Sequence, residues 1–158
     1  MNLESQNTQI SEEIKGIVEK HGGRREKLLQ ILEDINTNHG YLGGYAMQQV
    51  AKNLSIQPTE VYGVATFYSF LNTEPKGKYI IRLCKTISCD LAGKKKIANA
   101  LKNELGIDFG EMTPDGKFSL EYTNCIGMCN QGPAMLVNED VYYNLDPEKA
   151  IDIIEKYQ

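Results

Sequence analysis

The sequence predicts an α+β chain with an N-terminal helical bundle over residues 1–76, followed by a mixed four-stranded sheet with two helices over 77–158. Three observations carry that expectation. Apolar residues recur at helical spacing through the first half. After Pro75-Lys76-Gly77 the pattern changes to short β-branched and alternating runs. The elements beyond that break run strand, helix, strand, strand, strand, helix.

In the first half, Leu28, Ile31, Leu32 and Ile35 form an apolar stripe on a helix from about Arg24 to Asn38, with Gly40 as a natural stop. A shorter helix is expected over Tyr45–Leu54. Pro58, which has no N–H to leave unpaired, suits the first turn of another, Thr59 to Leu71. That segment carries Val61, Val64, Ala65 and Tyr68 on one side. It is apolar enough to be expected at the centre, with Tyr62, Phe67, Tyr68 and Phe70 as core. In the second half, Tyr79–Leu83 predicts a buried strand. A helix over Gly93–Leu105 would turn Ile97, Ala98, Leu101 and Leu105 inward and Lys94, Lys95, Lys96 and Lys102 to water. Phe118–Tyr122 alternates as a half-buried strand. Ala134–Val137 and Val141–Tyr143 flank Asn138-Glu139-Asp140 as a hairpin. Asp146-Pro147 opens a last helix carrying Ile151, Ile154 and Tyr157, with Asp as cap and Pro at the first position. The first strand, helix and next strand can form a right-handed crossover with parallel strands, and this order fits a thioredoxin-like sheet.

Composition narrows the function. The chain has 158 residues, 41% hydrophobic and 24% charged, with a net charge of −4. An acidic chain lacks the basic face that neutralises phosphates, so no nucleic-acid partner is expected. No apolar run approaches the ~20 residues that cross a bilayer, so no membrane insertion is expected. The start, Met1 to Ile10, is polar and carries Glu4, unlike a signal peptide, and a cytoplasmic location is the default. No phosphate-cradling glycine motif and no Cys/His or Ser/His/Asp set appears. His21 and His39, the only histidines, read as structural or solvent-facing. Lys94 to Lys96 reads as a solvated helix face, with a docking surface for an acidic partner as the second reading.

Four cysteines carry the chemistry: Cys84 and Cys89, then Cys125 and Cys129. In a reducing compartment they are metal ligands or redox thiols before they are disulfides. Each pair follows a strand directly. If those strands are parallel neighbours, both loops emerge at the same edge of the sheet and can converge on one object. A [2Fe–2S] cluster takes two thiolates per iron, which two pairs on two loops satisfy. A structural zinc site also tolerates such spacing. Neither pair has the C-x-x-C spacing of a redox dithiol. Spacing alone leaves cluster and zinc both open.

The stretches "CKTISCDLAG" and "CIGMCNQGPAMLVNEDVYYNLDPEK" resemble the thioredoxin-like [2Fe–2S] ferredoxin family. Its members include the small [2Fe–2S] protein, called E, of NADH:quinone oxidoreductase and its counterpart in NAD(P)-dependent or electron-bifurcating hydrogenases and formate dehydrogenases. "HGYL" from His39 and "PTEVYGVATFYSF" from Pro58 extend the resemblance over about Ile10 to Tyr157. The resemblance implies one [2Fe–2S] cluster on Cys84, Cys89, Cys125 and Cys129, and an electron-relay role without substrate chemistry of the chain's own. It also implies a larger flavoprotein partner carrying FMN and the NAD(P) site, and a further catalytic subunit. A soluble hydrogenase or formate dehydrogenase complex is expected ahead of a respiratory one. A zinc-stabilised interaction module without redox role is the alternative from another class. Two departures from the family pattern stand out. Gly132 replaces the usual Ala before Pro133, at a turn expected to touch no ligand, and Asp90 follows the second cysteine where an aromatic residue or His is usual.

Overall fold

The computed structural model describes residues 3–158; Met1 and Asn2, the first residues of the polar start, lie outside the described residues. The chain forms two compact units, Met1–Pro75 and Lys76–Gln158.

The first unit comprises α1 (Leu3–Lys20), a 3₁₀ turn (Arg25–Lys27), α2 (Leu28–His39), α3 (Gly44–Leu54) and α4 (Pro58–Phe67). Helix α1 is not among the helices expected from the sequence, yet its Ile14, Ile17 and Val18 bury the stripe of an amphipathic helix. Helix α2 begins at Leu28 rather than Arg24, because Arg25–Lys27 wind more tightly first. It stops as expected: Gly40 takes a left-handed φ of 78° and its N–H caps the Asn36 carbonyl. Helices α1 and α2 pack together, as do α1 and α3, and α4 packs on α2 and α3. The fully buried stripe is Ile31, Leu32 and Ile35 of α2, where each side chain contributes about 1.5–3 kcal/mol by leaving water.

Helix α4 departs most from expectation. Pro58 occupies its first position, and Val61 and Ala65 are buried. Its chain leaves helical geometry at Tyr68 instead of running to Leu71. Of the four aromatic residues expected in the core, only Tyr68 packs against it. Tyr62, Phe67 and Phe70 are exposed, Phe67 at 79%. A short helix buries only the side it turns to its neighbours, so apolar content on its other side does not imply burial. His21 Nε2 lies 2.9 Å from Asp34 Oδ2, and His39 Nε2 lies 3.3 Å from Glu13 Oε2.

The second unit comprises β1 (Tyr79–Cys84), α5 (Ile87–Leu91), α6 (Lys94–Leu105), β2 (Phe118–Thr123), a 3₁₀ turn (Cys129–Gln131), β3 (Met135–Val137), β4 (Asp140–Tyr142) and α7 (Pro147–Glu155). The sheet order is β2-β1-β3-β4, with β1 parallel to β2 and the other pairs antiparallel. This is the mixed four-stranded sheet the element order predicts. Its core joins Ile81 and Leu83 of β1, Leu120 of β2 and Met135 and Val137 of β3 to Ile97 and Leu101 of α6 and Ile153 and Ile154 of α7.

Local details differ for identifiable reasons. The hairpin turn is two residues, Asn138-Glu139, because Val137 pairs directly with Asp140, and Asn138 accepts the left-handed φ of 53°. Strand β2 starts fully buried rather than alternating: Ser119 is interior because its Oγ accepts the Gly77 N–H at 2.8 Å. Only a glycine fits at 77, since a Cβ there would lie 2.5 Å from the Phe118 carbonyl carbon. Lys94 is not water-facing as expected. Its side chain is 13% exposed and its Nζ lies 3.1 Å from Asp90 Oδ1. Asp146 caps α7 by accepting from the Lys149 N–H at 2.8 Å. Among the described residues no helix is long and apolar enough to cross a membrane.

Candidate metal centre

Strand β1 ends in Cys84, and the parallel register places it opposite Thr123, the last residue of β2. The loops after these strands therefore leave the sheet at the same end. The first runs through Thr86 into α5, which carries Cys89; the second carries Cys125 and leads to Cys129 at the start of the 3₁₀ turn. The Lys85 N–H bonds the Thr123 carbonyl and the Cys84 N–H bonds the Ala134 carbonyl, tying the first loop to both neighbouring strands' ends.

All four cysteines are free thiols, but the pairs differ in burial: Cys84 and Cys89 are buried, Cys125 and Cys129 exposed. In the exposed pair, Sγ of Cys125 lies 3.1 Å from Sγ of Cys129. The Gly127 N–H points at Cys125 Sγ across 3.4 Å, from a residue whose φ of 87° suits glycine. In the buried pair, Thr86 Oγ1 lies 3.1 Å from Cys84 Sγ.

The thiol acidities show the two loops acting on each other. Burial pushes the Cys84 thiol up, but the Thr86 hydroxyl and N–H, the Cys89 thiol and the Ile126 N–H outweigh it and leave Cys84 below the ordinary cysteine value. Ile126 belongs to the other loop. Cys89 moves the opposite way, raised by burial and then by Cys84 against the Ala134 N–H. Cys129 is raised chiefly by the Cys125 thiol beside it, while the Ser88 hydroxyl of the first loop pulls it down. Cys84 also acts on Cys129 electrostatically. The arrangement is two thiol pairs facing each other.

Thr86 and Ser88 are two further residues of the site that the cysteine spacing does not single out. Their hydroxyls were legible as donors, since both stand between Cys84 and Cys89; which sulfur each serves was not. Gly132 also needs correction. A Cβ there would lie 3.3 Å from Cys89 Sγ, so this turn does touch a candidate ligand, and the missing side chain leaves that thiol room. Asp90 brings no uncompensated charge, because Lys94 pairs with it.

Over residues 14–158 the sequence matches the family described as thioredoxin-like [2Fe-2S] ferredoxin. The chain belongs to that family. Among its relatives, the E 2 subunit of the NADH-quinone oxidoreductase of Rhizobium meliloti (strain 1021) is 35% identical over 94% of this chain and 89% of its own. "NADP-reducing hydrogenase subunit HndA" of Solidesulfovibrio fructosivorans is also 35% identical, over 92% of this chain and 85% of its own. Among solved structures, the air-oxidized NAD+-reducing [NiFe]-hydrogenase superposes with a TM-score of 0.73 at 29% identity. That match covers 84% of this chain and 23% of the hydrogenase chain. The family carries one [2Fe–2S] cluster, and the residues present fit it: four thiols in two pairs, with an N–H and a hydroxyl already directed at sulfur.

Proposed function

We propose that this chain is the [2Fe–2S] electron-transfer subunit of a multisubunit NAD(P)H-linked oxidoreductase, with the cluster held by Cys84, Cys89, Cys125 and Cys129. The observation that carries the proposal is the common exit of the two cysteine loops from parallel strands β1 and β2, with Ile126 acting on Cys84 and Ser88 on Cys129 across the gap. When bound, the cluster accepts and releases single electrons. The chain's own part is to hold two thiolates for each iron, donate hydrogen bonds to sulfur, and keep one side of the site dry while the other stays open. Substrate chemistry belongs to neighbours: a larger flavoprotein with FMN and the NAD(P) site, and a further catalytic subunit. Relatives named as a quinone-reductase subunit and as a hydrogenase subunit support this shared role. The finer reading is a soluble hydrogenase or formate dehydrogenase complex in the cytoplasm.

Anaerobic purification with metal analysis, then EPR after dithionite reduction, tests the site. About two irons per chain and a rhombic S = 1/2 signal are expected. One zinc per chain with no iron and no signal would replace the redox reading by a structural metal site. Co-purification tests the finer reading: a flavoprotein in the soluble fraction supports it, and an exclusively membrane-bound quinone-reducing partner overturns it.

A further inference from the structure

Thr86 occupies the cap position ahead of α5, where a threonine hydroxyl ordinarily accepts a backbone N–H of the first turn. Here the side chain makes no cap hydrogen bond. The turn is closed through the backbone instead, by the Asp90 N–H on the Thr86 carbonyl at 3.0 Å. The hydroxyl is directed to Cys84 Sγ at 3.1 Å. Either atom can donate in the free thiol, but a metal-bound thiolate has no proton, so the hydroxyl becomes the donor. Cys84 is also nearly solvent-free, with 1% exposure, so water does not compete for this hydrogen bond at its sulfur.

From this geometry we propose that Thr86 is a positioning residue that sets the reduction potential of the cluster by donating a hydrogen bond from its hydroxyl to the Cys84 thiolate. The inference rests on the cluster assignment made above. Reduction adds one electron and neither makes nor breaks a bond; it increases the negative charge on the sulfurs. A donor already aimed at one of them bonds the reduced state more strongly than the oxidised one, so its presence raises the potential. The low dielectric around Cys84 strengthens the effect. The Gly127 N–H does the same for Cys125, but through the backbone and at the exposed pair. At the buried pair, Thr86 is the contact that side-chain chemistry can adjust; the Ser88 hydroxyl acts on Cys129 of the exposed pair.

The experiment is an EPR-monitored redox titration of the full-length cluster-loaded protein as wild type, Thr86→Val and Thr86→Ser. Valine keeps the branched shape and removes the donor; serine keeps the donor. Thr86→Val is expected to lower the reduced-to-oxidised ratio at a fixed potential about tenfold, which for one electron is a shift of about 59 mV to more negative potential. Thr86→Ser is expected to restore most of it, with iron content unchanged in all three. Thr86→Ala reads the same quantity should valine not be accommodated. Wild-type potential in the loaded donor-less variants would overturn the role of Thr86 while leaving the cluster assignment standing. A wild-type protein that never carries iron would overturn both.

Discussion

The two cysteine pairs are held by different means. Cys84 closes strand β1 and sits in a hydrogen-bonded register, and Cys89 lies on α5 with 1% exposure. Cys125 and Cys129 occupy an exposed loop whose path depends on Gly127 at a positive φ. One pair is part of the core's edge; the other is presented by a turn. The difference suits a site that must be rigid yet reachable. A buried side lowers the dielectric around its sulfurs, while the exposed side stays open to solvent.

The largest effect that would test this contrast comes from the proposed ligands. Cys84→Ser and Cys129→Ser should each lose or strongly destabilise the cluster, seen as iron content and EPR signal. Only Cys84→Ser should also lower the melting point of the cluster-free chain, because it alters a buried side chain at a strand end. Equal melting points would show that the core does not depend on the buried pair. Next in size is thiol labelling of the cluster-free protein with iodoacetamide. Cys125 and Cys129 should react well before Cys84 and Cys89, followed by mass spectrometry. The thiolate is the reactive form, and Cys129 is held above the ordinary cysteine value. Its labelling rate should therefore keep climbing with pH after an ordinary thiol has levelled off.

Smaller is Gly127→Ala. No atom crowds a Cβ at this position, so the cost is the left-handed backbone alone, about 1–2 kcal/mol. It should appear as faster cluster loss to a chelator and as a loss of about that size in denaturant unfolding. The smallest is Asp146→Ala, which removes the cap of α7 and touches neither cysteine pair. It should cost about 1 kcal/mol in denaturant unfolding and leave the reduction potential unchanged. A shift in potential there would mean that the site senses the whole sheet rather than its own loops.

Much of this was legible in sequence, and the legible part is the short-range part. The Leu28–Ile35 stripe, Pro58 at a helix start, Asp146-Pro147 and the β-branched run at Tyr79 are local signals, and each produced the element it predicts. Helix α1 was hidden because its polar beginning masks the Ile14–Val18 stripe. The aromatic residues of α4 misled because apolar character says what a side chain prefers, not whether a neighbour is there to cover it. Lys94 misled in the opposite sense: a lysine run looks solvated until one member finds a carboxylate.

At the candidate site the same division holds. The sequence by itself determined that four thiols stand in two pairs after two strands, and family resemblance attached the cluster to them. It could not determine that Ile126 influences the acidity of Cys84, that Ser88 influences that of Cys129, or that Thr86 turns from its helix to a sulfur. Those contacts depend on the parallel register that sets Cys84 opposite Thr123. Register is a long-range pairing chosen by the whole buried face, Ile81 and Leu83 against Leu120, Met135 and Val137. No window of sequence around either cysteine pair contains that information.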